Sequence, residues 1–99
     1  MQIIFGKQNA EKLRSKYTVL ELETFDVEGT PLETYCVVSS ERIPIQELSM
    51  VEKNTKIHEE FVAAIKQKNY KLCGELYVHL IGKFGGELDS FYEEIIKRI

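Results

Sequence analysis

The sequence predicts an α+β domain, in which a small sheet of about three strands, built on a β-hairpin, is covered by three helices. Three observations carry that expectation. The stretch YTVLELETF (17–25) alternates Leu20 and Leu22 with Glu21 and Glu23, the period of a strand with one wet face. A turn-forming run, DVEGTP (26–31), leads into an apolar return, LETYCVV (32–38). Beyond residue 46 the apolar residues recur every three or four positions instead of every two. A chain of 99 residues makes one domain, with a sheet part at 1–38 and a helical part at 46–99.

Taken in order, Gln2 to Phe5 is a short apolar strand ended by Gly6. Asn9 is placed to cap a short helix over Ala10 to Lys16 that turns Leu13 inward. The hairpin arms follow, with a loop of about six residues in which Gly29 takes positive φ and Pro31 sets the exit. Ser39 to Pro44 is connector, because a residue before proline is pushed out of the helical region. Ser49 and Glu52 have the spacing of a capping box for a helix carrying Ile57, Phe61, Val62, Ala64 and Ile65. Lys68-Asn69 interrupts it, and a second helix from Tyr70 to Phe84 carries Cys73, Leu76, Tyr77 and Leu80. Gly82, Gly85 and Gly86 close that helix. The last helix has the most regular stripe: Leu88, Phe91, Tyr92, Ile95, Ile96 and Ile99.

Composition narrows the function classes. With 43% apolar and 29% charged residues the chain has the makings of a core and lies outside the disordered class. No apolar run approaches the ~20 residues of a membrane span, and the start lacks the features of a signal peptide, so a cytoplasmic protein with no membrane partner is expected. The net charge is −3, and the longest uninterrupted block of one sign is acidic: Glu21, Glu23, Asp26, Glu28 and Glu33. A nucleic-acid binder shows a dominant basic face, so nucleic acid is not the expected main partner. Cys36 and Cys73 stand far apart with no ligand at metal spacing beside them and read as ordinary buried thiols. His58 and His79, even with Glu59 or Glu75 near them in sequence, read as boundary or hydrogen-bonded histidines rather than ligands or bases, so no metal, cofactor or catalytic residue is assigned.

Several segments admit a functional use beside a structural one. The passage IIFGKQNAE (3–11) offers helix amides and Lys7 to a phosphate, but lacks the glycines and the Ser or Thr of a nucleotide loop. The loop Gly82–Gly86 has the glycine density of an anion nest, and equally of a sharp reversal between helices. The turn 66–71 places Lys66, Lys68, Tyr70 and Lys71 together, a pattern that with Lys83 suits a nucleic-acid surface and also a solvated turn. Glu21, Glu23 and Glu33 form an acidic face that discourages edge pairing or docks a basic partner. Five Tyr and five Phe are generous for so small a domain, so Phe91, Tyr92, Ile95 and Ile99 are candidates for a subunit interface, with a homodimer expected.

Residues 57–84 look like one helix pair of the tetratricopeptide type, with Asn69-Tyr70 at the turn, then Cys73 and Tyr77 at that family's spacing. Phe61 and Leu80 depart from it, standing where the family has small residues. Over its whole length the chain is similar to small uncharacterised proteins of marine tailed phages and their hosts, on the passages KYTVLELETF and GKFGGELDSFYEEI. That resemblance implies an accessory protein acting inside an infected bacterium and carries over no activity. The expectation from sequence is therefore a non-enzymatic interaction module that self-associates and binds another protein. Nucleic-acid binding at 66–71 is one alternative, and a small-ligand or enzymatic role at Gly82–Gly86 is another.

Overall fold

The computed structural model describes all of residues 1–99. Its elements run β1 (Gln2–Phe5), α1 (Lys7–Leu13), β2 (Thr18–Val27), β3 (Thr30–Val38), α2 (Ile45–Leu48), α3 (Val51–Lys66), α4 (Tyr70–Leu80) and α5 (Asp89–Arg98). Two 3-10 turns, Ser40–Arg42 and Phe84–Gly86, flank α2 and α5. This is the α+β architecture expected. The strands form one antiparallel sheet in the order β1-β3-β2, which places the last strand in the middle and leaves β1 and β2 as edges.

The sheet is packed on both faces. Leu20, Leu22, Cys36 and Val38 meet Phe61, Leu80, Phe84, Leu88, Tyr92 and Ile95 from the C-terminal helices in the main core. On the other face, Ala10 of α1 packs with Val19, Tyr35 and Val37, against half-buried Ile4 and Leu13. The single wet face expected from the Leu/Glu alternation is thus half covered by α1. Phe61 packs nearly perpendicular to Tyr92 at 5.3 Å between ring centres, the edge-to-face arrangement aromatic quadrupoles favour.

Local chemistry moves several boundaries. Gly6 takes φ +88° and turns the chain directly into α1, so the helix starts at Lys7 and Asn9 does not cap it. The Asn9 amide instead donates to the carbonyl of Phe5 at 2.9 Å. The hairpin loop has two residues, Glu28 (φ 52°) and Gly29 (φ 83°), the pair of left-handed conformations that matches strand twist. Pro31 therefore lies in β3, opposite Asp26 and beyond the end of β1, where no ladder partner needs its missing N–H.

The capping box does not form. Ser49 is itself helical at the end of α2, and Met50 precedes α3 with no side-chain cap. Asn69 caps α4 by accepting from the Leu72 N–H at 3.3 Å. That helix ends at Leu80 rather than Phe84 because Ile81 is extended and Gly82 takes φ +81°.

Candidate functional site

The side chains that could do chemistry are mostly committed to structure. His58 is fully buried, with Nε2 2.6 Å from the carbonyl oxygen of Glu21 and Nδ1 2.8 Å from the Tyr92 hydroxyl. A carbonyl only accepts, so Nε2 carries the proton and Tyr92 donates to Nδ1. Burial holds the imidazole neutral by lowering its pKa to about 4. Burial raises the Cys36 thiol to about 11 and raises Cys73 as well, so neither is a ready nucleophile. Burial and the hydrogen bond to Glu33 raise the Tyr35 phenol to about 12. No three His, Cys, Asp or Glu side chains come together as a metal-ligand set.

The sequence-predicted surfaces come out unevenly. Glu21 pairs with Lys66 at 2.8 Å, Glu23 pairs with Arg98 at 2.7 Å, and Glu33 accepts from the Tyr35 hydroxyl at 3.0 Å. The three do not form one acidic face: Glu21 and Glu33 border a depression between α1 and α3, Glu23 borders the α5 side of the sheet, and each is tied to α3, α5 or its own strand. Of the C-terminal stripe, Phe91, Tyr92 and Ile95 are buried in this chain's own core, and Ile99 alone is exposed. A helix this amphipathic is needed to close a three-stranded sheet, which leaves little of the stripe for a subunit contact.

Lys66, Lys68, Tyr70 and Lys71 do cluster, all exposed, at the turn between α3 and α4. Lys83 lies past the far end of α4, roughly 15 Å away along the helix rise, and does not join them. In the glycine loop, the Gly82 N–H donates to Asp89 Oδ1 at 2.8 Å and the Phe84 N–H donates to the Glu47 carboxylate. A Cβ at Gly85 would stand 1.9 Å from the Arg42 carbonyl oxygen. The loop's glycines thus serve a close approach to the 39–44 connector, and two of its amides already hold carboxylates.

A feature the sequence did not disclose is an apolar groove of about 450 Å3 on the α5 side of the sheet, lined by Met1, Ile3, Phe5, Leu22, Phe25 and Phe91. A β-bulge makes it. Between Glu21 and Thr24 the register slips, so that Leu22 and Glu23 together face one residue of β3. The Thr34 hydroxyl donates to the Glu23 carbonyl at 2.6 Å and so satisfies an acceptor near the slip. The extra residue reverses the alternation. Phe25 pairs with Leu32 and comes to the same face as Leu22, although its odd number put it with Glu21 and Glu23. In β1, Ile3 stands opposite Cys36 and Phe5 opposite Thr34, so both point into the groove. The Glu23–Arg98 pair lies at the rim.

Met1, Ile3, Phe5 and Phe25 are each about half exposed, Phe5 the most at 54%. Together they present on the order of 350 Å2 of apolar surface, the size of the largest patch on a typical monomer, which is often functional. The depression between α1 and α3 measures about 260 Å3; its lining is mostly charged, Lys7, Arg14 and four glutamates, and its apolar residues Val19, Leu20 and Tyr35 are buried in the core. Comparison with protein-family models, curated proteins and solved structures returns no match.

Proposed function

We propose that this chain is a non-enzymatic interaction module that holds an apolar segment of a protein partner in the groove beside β1. The observation that carries the reading is the half-exposed quartet Met1, Ile3, Phe5 and Phe25 around one concave apolar surface. Such a surface gains from covering by polypeptide, and of its polar lining residues, Glu23, Thr34, Ser90 and Glu94, the two carboxylates are paired with Arg98. The neutral, doubly bonded His58 and the raised thiols support the same side of the choice. Two buried, unpaired cysteines suit a reducing compartment, and no helix is long and apolar enough to cross a membrane. The resemblance to small phage proteins fits an accessory role of this kind.

The test is a photo-cross-linking amino acid at position 25, with one at exposed Val78 on α4 as control. The reading predicts covalent capture of a polypeptide at near-stoichiometric yield from position 25, unaffected by nuclease, and none from position 78. Equal capture from both positions, or none from either, would remove it.

A further inference from the structure

The two edges of the sheet are treated oppositely. On β2 the outward carbonyls are taken by the chain's own side chains: Val19 by Arg14 at 3.4 Å and Glu21 by His58 at 2.6 Å. The bulge adds a further break in that edge. These are the devices by which monomeric proteins stop a sheet from growing. On β1 the sequence is Gln-Ile-Ile-Phe, with no charge, no proline and no bulge.

The ladder fixes which β1 groups point outward. Gly6 donates to Glu33 at 2.9 Å, so in antiparallel alternation Ile4 and Gln2 also bond to β3. Ile3 and Phe5 therefore aim their N–H and C=O groups away from the sheet. The Phe5 carbonyl is held by Asn9. The Ile3 N–H, the Ile3 carbonyl and the Phe5 N–H are left for a partner.

We infer that a second copy of this chain pairs its β1 antiparallel with β1 about a twofold axis, making one six-stranded sheet. The inference rests on the groove being an interaction surface and names the chain that borders it. A dyad normal to the sheet keeps each side chain on its own face only if residue numbers across the pair sum to an even value. The register centred on Ile3 meets this: Ile3 opposes Ile3 of the second copy and Phe5 opposes its Met1. The outward Ile3 groups then bond reciprocally, and each Phe5 N–H meets the second copy's Met1 carbonyl. No charged side chain opposes another, and both exposed residues of the groove's β1 wall gain an apolar neighbour. The two grooves join into one trough across the axis. A foreign strand would have to supply this alternation, whereas a second copy already has it.

The test is sedimentation equilibrium on the full chain at micromolar concentration with two variants. Ile3→Lys puts a charge on the half-exposed groove side of the strand. Ile3→Pro removes the outward N–H while leaving the Ile4 and Gly6 bonds to β3 in place. The wild type is expected as a dimer, with affinity falling about tenfold or more in each variant. Circular dichroism melts confirm that both variants fold. A wild type that stays monomeric, or a dimer unaffected by either change, would overturn the inference. Capture of a different polypeptide from position 25 would then still uphold the groove, so the two readings fail separately.

Discussion

His58 on α3 donates from Nε2 to the carbonyl oxygen of Glu21 at 2.6 Å, closing the β2 edge of the sheet with a buried side chain. The same ring accepts from Tyr92 on α5, so one imidazole joins a strand and two helices. Its neutrality is a condition of that joint, because a protonated Nδ1 has no lone pair for the Tyr92 hydroxyl to donate to. The open edge at β1 stands out against this closed one.

Stability should depend on pH through His58. Its folded pKa of about 4 lies below the ordinary 6.5, so the unfolded chain binds the proton more readily. The contribution is complete above pH 6.5 and is lost as pH falls toward 4, amounting to about 2 kcal/mol by pH 5. Urea denaturation of wild type and His58→Gln at pH 7 and pH 5 measures it. The gap between the two proteins narrows by about 2 kcal/mol at the lower pH; an unchanged gap would show that His58 is not buried neutral.

Tyr92→Phe removes the hydroxyl that satisfies Nδ1 while keeping the ring packing against Phe61. A cost of about 1–3 kcal/mol is expected at pH 7, the range for a buried acceptor left without its donor. A change within experimental error would mean that water replaces the hydroxyl.

The glycines of the 82–86 loop separate conformation from packing. Gly82→Ala meets open space and carries only the left-handed penalty, about 1 kcal/mol. Gly85→Ala adds a collision with the Arg42 carbonyl and is expected to cost about 3 kcal/mol or more. Thermal melts of the two variants decide it, and equal losses would show that the loop does not pack on the connector.

The basic turn provides a control on the nucleic-acid alternative. Lys66→Ala, Lys68→Ala and Lys71→Ala together remove one exposed ion pair, to Glu21, worth no more than about 1 kcal/mol. Retention on immobilised DNA or RNA at physiological salt should be the same before and after. A large, salt-sensitive drop would favour that alternative over the groove.

Much of the fold was legible because it rests on periodicity. The stripes Ile57–Ile65 and Leu88–Ile96 bury Phe61, Ala64, Leu88, Phe91, Tyr92 and Ile95, and the alternation buries Leu20 and Leu22, while Val19 on the opposite face is covered by α1. The candidate site was hidden because it depends on a break in period. One extra residue at Leu22-Glu23, beside a carbonyl that Thr34 satisfies, reverses the faces and turns Phe25 into the groove. Strand order was equally silent, since nothing in Gln2–Phe5 says which arm of the hairpin it joins. The apolar C-terminal stripe serves mainly as core, with Phe91 also reaching the groove. A sheet this small uses nearly all of that stripe as core; exposed apolar residues remain on the strands, at Ile3, Phe5, Phe25 and Val27, and on the helical side at Ile45, Leu48, Val78 and Ile99.

The most direct measurement is amide hydrogen exchange along β1 in the purified protein over a range of concentrations. Ile4 and Gly6 bond to β3 within one chain and are protected in any folded state. Ile3 and Phe5 point outward and gain protection only if a strand covers the edge. Protection at Ile3 and Phe5 that rises with concentration toward that of Ile4 is the predicted result. Fast exchange at both, with Ile4 protected throughout, would contradict it.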